Sequence, residues 1–548
     1  MKDRYSKRSC NLLVFCLLSL GFLLSGAQLF AQVDTGAILG TVKDSSGAVV
    51  PGADVTITNT GTSFSLTAKT SNVGAYIFTP IKIGTYTVQA TKAGFEKAVQ
   101  LNAKVDVEQR LVVDLTLVPG QVTQTVEVTA APPALQTESA MVGQVVGSQA
   151  VNELPLNGRN FTFLAQTVAG VHMSGFWSGG FGAAGSFSAN GTRPEQNNYL
   201  LDGMDNNTNQ LDFLAGTNYV NLPPPDAIGE FKLQTADYSA DVGRGGGAIL
   251  NGTIKSGTNQ LHGDVWEFLR NDKFDAAQFF ENSGGIKKGE FRQNQFGGTI
   301  GGPVVIPHVY DGKNKTFFFA DYQGTRIRQG QTHVNTVPTA AEVSSGFTDL
   351  SDMISGQTDA TCLQSGTCTR TDDLGRVFAN GTVFDPATTR PVTQGAIDPV
   401  TGLTAASSGF VRDPFFPGSL TGVTNFTTAA IISQLNQLPA GRLDQNAIKL
   451  LELYPAAMKS GIFNNQTDNP PLINTIDQSD IRMDHNFGDR DQMFGRVSFS
   501  INPMYNPPPF PGYADGGALA ISGGGHQWNP TLNTVLSETH SFSPTIVN

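Results

Sequence analysis

"QMFGRVSFSIN", residues 492–502, decides between a soluble sandwich and a membrane wall. Met493, Val497, Phe499 and Ile501 fall on one face of a strand, and Phe494, Arg496, Ser498 and Ser500 on the other. Stretches of similar length stand around it: "HGDVWEFLRND", "FRQNQFGGTIGGP", "KTFFFADYQGTRIRQ", "QSDIRMDHNF" and, after it, "TLNTVLSETHSF". Their connections alternate in length. The first, third and fifth are long, the third running from about 330 to 475. The second ("GPVVIPHVYDGKN"), fourth ("GDRD") and last ("SPTIVN") are shorter. An up-and-down barrel with long outer loops and short periplasmic turns requires that parity, whereas a soluble sandwich has no reason to sort its loops. Residues 260–548 are therefore expected to form about six strands of a large antiparallel transmembrane β-barrel.

The composition agrees with a mainly β chain. Its 548 residues include 61 Gly and 35 Phe against 3 Trp, with 39% hydrophobic and 15% charged residues. Many Gly and Phe with few charges suit sheets and turns better than helical bundles, and the length calls for more than one domain. A net charge of −11 argues against a nucleic-acid partner, which needs a basic face to neutralise phosphates. At the start, Lys2, Arg4, Lys7 and Arg8 precede an apolar run, Leu12 to Leu24, shorter than the ~20 residues of a spanning helix. Ser25, Gly26 and Ala27 relax that run and Ala31 offers a cleavage position, so residues 1–31 are expected to be a cleaved signal peptide. Cys10 and Cys16 would leave with it. Cys362 and Cys368 remain, in "TCLQSGTCTR", where export permits a disulfide and a metal site would need more ligands.

Between the leader and the wall lie two further regions. From 34 to 119, "GAILGTVKD", "ADVTITNT", "GAYIFTPI", "GTYTVQATKAGF" and "VEQRLVVDLTLVP" are short strands between Gly- and Pro-bearing turns, as in a small sandwich. Then "QVTQTVEVTAAPP", residues 121–133, alternates like a strand and stops at two prolines, with no hairpin and no evident partner. It is expected to lie unpaired in a linker, 120–133; the alternative is a last sandwich strand with Val126 and Val128 packed inward. From 134 to 259 Gly and Asn are dense and strands are short. Asp202 and Asp205, in "LLDGMDNN", fail the spacing of a calcium loop and read as a tight turn with capping side chains. "GFGAAG", residues 180–185, matches a nucleotide fingerprint without the strand–turn–helix context that gives it meaning. "GRGGGA", with Gly243, Gly245, Gly246 and Gly247, reads as close backbone packing. The seven His are scattered, and no zinc, phosphate-loop or G-x-S-x-G pattern occurs, so no catalytic residue, metal or cofactor is expected.

Two family resemblances rest on these stretches. "GTVKDSSGAVVPGADVTITNTGT" and "GAYIFTPIKIGTYTVQATKAGF" resemble the carboxypeptidase regulatory-like domain, a transthyretin-type sandwich whose name implies no peptidase activity. "LPLNGRNFTFL", "SANGTRPEQNNYLLDGMDNN" and "DAIGEFKLQTADYSADVGRGGGAILNGTIKSGTN" resemble the plug of TonB-dependent outer-membrane transporters, in the Oar-like branch that carries such a sandwich. Asp202, Gly203, Asp205 and the Gly243 to Gly247 run are then plug landmarks. The resemblance implies an outer-membrane receptor that imports an unidentified extracellular ligand, sits in outer-membrane lipid and is energised by a TonB-type periplasmic protein. It also makes Gln124, Thr125, Val126, Glu127, Val128 and Thr129 a candidate TonB box, grasped by strand addition. Family barrels use about 22 strands around the plug, so a chain with six is expected to be truncated. The rival reading is a surface adhesin or scaffold that uses the sandwich and outer loops without transport.

Overall fold

The computed structural model describes residues 35–548 apart from 121–124, 129–140, 174–185, 209–218, 239–241, 244, 278, 280–281, 283–287, 356–368, 489, 509, 511–524, 544–545 and 548. The expected signal peptide, both Cys362 and Cys368, and all of "GFGAAG" lie outside the described residues. No described helix is long and apolar enough to cross a membrane, which says nothing of strands.

The first unit contains β1 (Thr35–Asp44), β2 (Asp54–Asn59), β3 (Ser65–Lys69), β4 (Ala75–Lys82), β5 (Gly84–Thr91), β6 (Lys97–Val105), β7 (Arg110–Val112), β8 (Leu115–Leu117) and β9 (Thr125–Val128). One sheet runs β4-β1-β7 with β8 also on β1, and the other runs β3-β2-β5-β6-β9. Strict alternation makes β2 two-faced: Val55 and Ile57 are buried while Asp54, Thr56 and Thr58 are not. Ile38, Val42, Val88 and Leu117 meet them from both sheets. Buried Tyr76 keeps its phenol satisfied by donating to the Val113 carbonyl at 2.6 Å.

Residues 125–128 are not unpaired, contrary to the expectation for the linker. They add to β6 in parallel, Lys97 opposite Thr125 and Gln100 opposite Val128. The physical reason lies just upstream. Phe95 bridges Pro119 and the Glu96 amide donates to the Val118 carbonyl at 2.8 Å, so the chain leaves β8 alongside the start of β6. That edge otherwise presents a row of unpaired backbone groups, which a passing strand can satisfy.

The second unit comprises β10 (Val142–Gly147), β11 (Val171–Met173), β12 (Phe187–Ala189), β13 (Asn198–Leu201), β14 (Met204–Asp205), β15 (Ile228–Ala236) and β16 (Ile249–Ile254). Its main sheet runs β10-β15-β16-β13-β14. All of β16 and nearly all of β15 are buried, because the sheet is covered on both faces. Phe161, Phe187, Tyr199, Phe231 and Leu250 form its core, joined by Phe319 from the wall.

The wall is an antiparallel sheet of six long strands, His262–Asn271, Phe291–Pro303, Thr316–Gly330, Pro471–Asn486, Asp491–Asn506 and Gly525–Ser543, in chain order, with short Ile546–Val547 pairing back on the last as a seventh. In the fifth, Val497, Phe499 and Ile501 are exposed at 40, 39 and 37%, whereas Phe494, Arg496 and Ser498 are 6, 1 and 2% exposed. The sixth follows suit, with Trp528, Leu532 and Leu536 outward and Val535 inward. The apolar face is thus the one turned away from the protein, and the polar face is sealed by the second unit, as in a membrane barrel around a filled lumen. The barrel is open: the sheet ends at His262–Asn271, which has a neighbour on one side only among the described residues.

The third connection, 331–470, is more than a loop. Strands Thr369–Thr371, Val377–Ala379 and Asn425–Phe426 form one sheet and Phe384–Val392 with Gly409–Pro414 another. Phe378, Phe426 and Leu435 make a small core. Fully buried Arg376 bonds Asp372 at 2.8 Å and Asp413 at 2.7 Å, and Arg390 holds Asp398 and Asp413 at 2.7 Å each. Hydrogen bonds from Arg390 hold the Asp398 carboxyl well below the usual carboxylate range.

Candidate functional site

The landmark "LLDGMD" folds as a two-residue hairpin. Leu201 pairs with Met204 and Leu200 with Asp205, leaving Asp202 at φ 49° and Gly203 at φ 73° as the turn. Two positive φ values in succession are those of a type I′ turn, for which Asp-Gly is a preferred pair. The turn sits on β16: the Asp202 amide donates to the Gly252 carbonyl at 2.8 Å, and the Ile254 amide donates to the Asp202 carboxylate at 3.0 Å.

That carboxylate is also clamped by the wall. Arg482 of the fourth strand reaches one oxygen at 3.0 Å and Arg496 of the fifth reaches the other at 2.6 Å. Asp202 and Arg496 have fully buried side chains and Arg482 is 6% exposed. Both arginines also donate to second-unit carbonyls, Arg482 to Ile254 at 3.1 Å and Arg496 to Leu201 at 3.2 Å. Arg482 continues to Asp484 at 3.1 Å, and Asp484 takes Lys82 of the sandwich at 2.9 Å and the Ser256 hydroxyl at 2.8 Å. One chain of charges therefore ties all three units together.

A second joint connects the sandwich turn Asp106–Gln109 to the β15–β16 face. Glu108, held at φ 53°, accepts from Lys232 at 3.3 Å and Asn251 at 3.1 Å, and also from Gln234. The Val107 amide donates to Glu230, whose other oxygen faces Lys104 at 3.7 Å. Burial, reinforced by the Asp106 charge, pushes the Glu230 carboxyl up to about 7.

The remaining anticipated residues are dispersed. Asp205 bonds Asn207 and turns away from Asp202, so the two carboxylates form no shared ligand site. A Cβ on Gly245 would lie 2.1 Å from the Gln196 carbonyl oxygen and one on Gly247 2.5 Å from the Asn197 side chain, whereas Gly243 and Gly246 face open space. Thr125 to Val128 pair with β6, while Gln124 and Thr129 lie outside the described residues. Sequence reasoning missed Arg482, Arg496, Lys82, Glu108 and Glu230. The available signal was Arg496 on the polar face of an alternating wall strand, a charge placed where the lumen is.

Comparisons with known proteins follow this division. A family model described as an outer membrane beta barrel domain matches residues 253–548, a TonB-dependent receptor plug domain matches 135–249, and a carboxypeptidase regulatory-like domain matches 37–118. The TonB-dependent transporter Oar of Myxococcus xanthus is 26% identical over 324 residues, covering 57% of this chain and 28% of that protein. Among solved structures, the outer membrane transporter YddB from Escherichia coli gives a TM-score of 0.38 at 10% identity, over 73% of this chain and 37% of that one. The ferric enterobactin receptor PfeA from Pseudomonas aeruginosa gives 0.31 at 11%, over 74% and 47%. The chain spans less than half the length of these relatives. With the barrel model covering more than half of its residues and the plug and sandwich models preceding it, the chain belongs to the TonB-dependent outer-membrane transporter family, in its form with an N-terminal carboxypeptidase regulatory-like domain.

Proposed function

We propose that the protein imports an extracellular ligand across the outer membrane, with the Asp202 turn as the latch that seats the plug and residues 124–129 as the strand a periplasmic TonB-type partner pulls. The observation that carries this is the clamp of Arg482 and Arg496 on Asp202, a buried contact between two units that must separate if anything is to pass. The outer membrane holds no ATP, so the work of separating them has to arrive mechanically. A strand added to a partner's sheet edge gives such a grip, since backbone hydrogen bonds in series resist a pull along the strand. Because Thr125–Val128 already pair with β6, the partner has to exchange for β6 rather than capture a free segment. The chain begins with a leader that exports it to the periplasm and is then cleaved.

Deleting 124–129 in the full-length protein tests this. Energised uptake is expected to vanish while ligand binding at the cell surface persists. Unchanged uptake of every nutrient tested would sink the transport reading and favour a surface adhesin built on the sandwich and the folded 331–470 connection.

A further inference from the structure

Across the lumen face of the wall, one row beyond the two arginines, stand two carboxyl groups that the latch does not use. Ala320 pairs with Ile481 and Gln323 with Gln478, which sets Asp321 directly opposite Asp480 on the same face. Both are buried, at 4 and 3% exposure. Asp480 accepts from the Ser498 hydroxyl, itself bonded to Arg496. Among the described residues, neither oxygen of Asp321 is met by a donor with hydrogen-bond geometry, and its neighbour on the facing strand is Asp480 itself.

The surrounding charges do not balance. Among the described residues, Lys82, Arg482 and Arg496 stand against Asp202, Asp484, Asp480 and Asp321, three cations to four carboxylates. Among the described residues, the other charges near this region are plug Asp226, bonded to plug Arg159, and Lys255, which makes no ion pair with Asp321 or Asp480 and feels the charges of Asp264 and Asp226. One negative charge is left over in a buried seam, where an uncompensated ion is far costlier than a neutral acid. We infer that Asp321 and Asp480 form a proton-binding site at the plug–wall seam, holding one proton between them at neutral pH. Asp480, supported by Ser498 and next to Arg496, is the ionised member. Asp321, without a donor of its own, carries the hydrogen and donates it to Asp480, which satisfies an orphaned oxygen and the charge count in one bond. A monovalent cation could meet the count as well, but Asp321 and Asp480 are then short of the several oxygens a cation collects. The site does not depend on transport.

The test is infrared spectroscopy on the full-length protein purified from outer membranes at pH 7.5. Wild type is expected to show a protonated-carboxyl C=O band, and Asp321→Asn to lose it. Asp480→Asn should lose it too, since removing either carboxyl restores the balance and lets the remaining one ionise; either variant serves if the other fails to assemble. The charge count also predicts that each single variant keeps a wild-type urea midpoint for barrel unfolding while the double variant falls below both. A wild-type spectrum without the band, or a band that survives both variants, overturns the proposal. So does a midpoint that tracks sodium or potassium concentration in wild type and not in Asp321→Asn, which would replace the proton with a bound cation.

Discussion

At Asp202 the backbone and the carboxylate serve separate ends, and substitution can separate them. The turn needs φ above zero at two successive residues, which Asn supplies as readily as Asp. The clamp needs a negative charge between Arg482 and Arg496. Asp202→Asn is therefore expected to keep the hairpin yet leave buried Arg496 without its paired carboxylate and Arg482 with Asp484 alone, destabilising the plug seat by about 3–5 kcal/mol. Gly203→Ala does the reverse: the clamp survives and the left-handed backbone is penalised by about 1–2 kcal/mol. Urea titration of plug protection against protease checks the order, with Asp202→Asn giving the larger loss; equal losses would mean that the turn matters and the charges do not. The turn was legible from "DG" alone, because its chemistry is local. Its ionic partners were not, since Arg482 and Arg496 lie about 280 and 294 positions along the chain and period-two patterning says which face a side chain takes without saying what stands opposite.

The same limit governs whole elements. The six long wall strands were legible, because each needs one face for lipid and one for the lumen and so advertises itself by alternation, whereas two-residue Ile546–Val547 was read as part of a turn. Strand β9 advertised itself too, but its pairing did not, for its partner β6 shows no trace in sequence of which of its edges is free. Nor did the connection 331–470 reveal its own core, since short strands held by a buried Arg376 and Arg390 ion network carry little periodicity. The sandwich turn Asp106–Gln109 makes a prediction at this scale. Glu230 has its pKa raised from 4.5 to about 7 by burial and the Asp106 charge, so the docked state favours its protonated form. Its contribution to docking is thus complete below pH about 4.5 and is lost as pH climbs through about 7. Glu230→Gln, neutral at every pH, is expected to flatten the dependence of the sandwich's thermal midpoint on pH between those values. Wild type and variant falling in parallel across that window would remove Glu230 as the cause.

For the whole molecule, the order of the ion chain matters more than its size. Lys82 of the sandwich, Asp484 and Arg482 of the wall, Asp202 of the plug and Arg496 of the wall follow one another, so each link can be cut with a different unit released. Lys82 is 28% exposed and its partner Asp484 keeps Arg482 and Ser256 when it is gone. Lys82→Met should therefore free the sandwich by about 1–2 kcal/mol, between the values of surface and buried pairs, and leave the plug seated. Arg482 stands in the middle, holding Asp484 on one side and Asp202 on the other. Arg482→Met is expected to loosen the plug by at least as much as Asp202→Asn, because two buried carboxylates each lose a cation at once, Asp202 keeping only Arg496 and Asp484 only Lys82. Limited proteolysis of the two variants reads the difference: faster cutting ahead of residue 141 in Lys82→Met with the plug intact, and cutting within 142–254 in Arg482→Met. A sandwich docked through this chain would then move first under a pull on 124–129, and the plug second, since Lys82, its link to the sandwich, is the most exposed charge along it. Should Lys82→Met expose the plug as fully as Arg482→Met, the three units open as one body and that order of release is wrong.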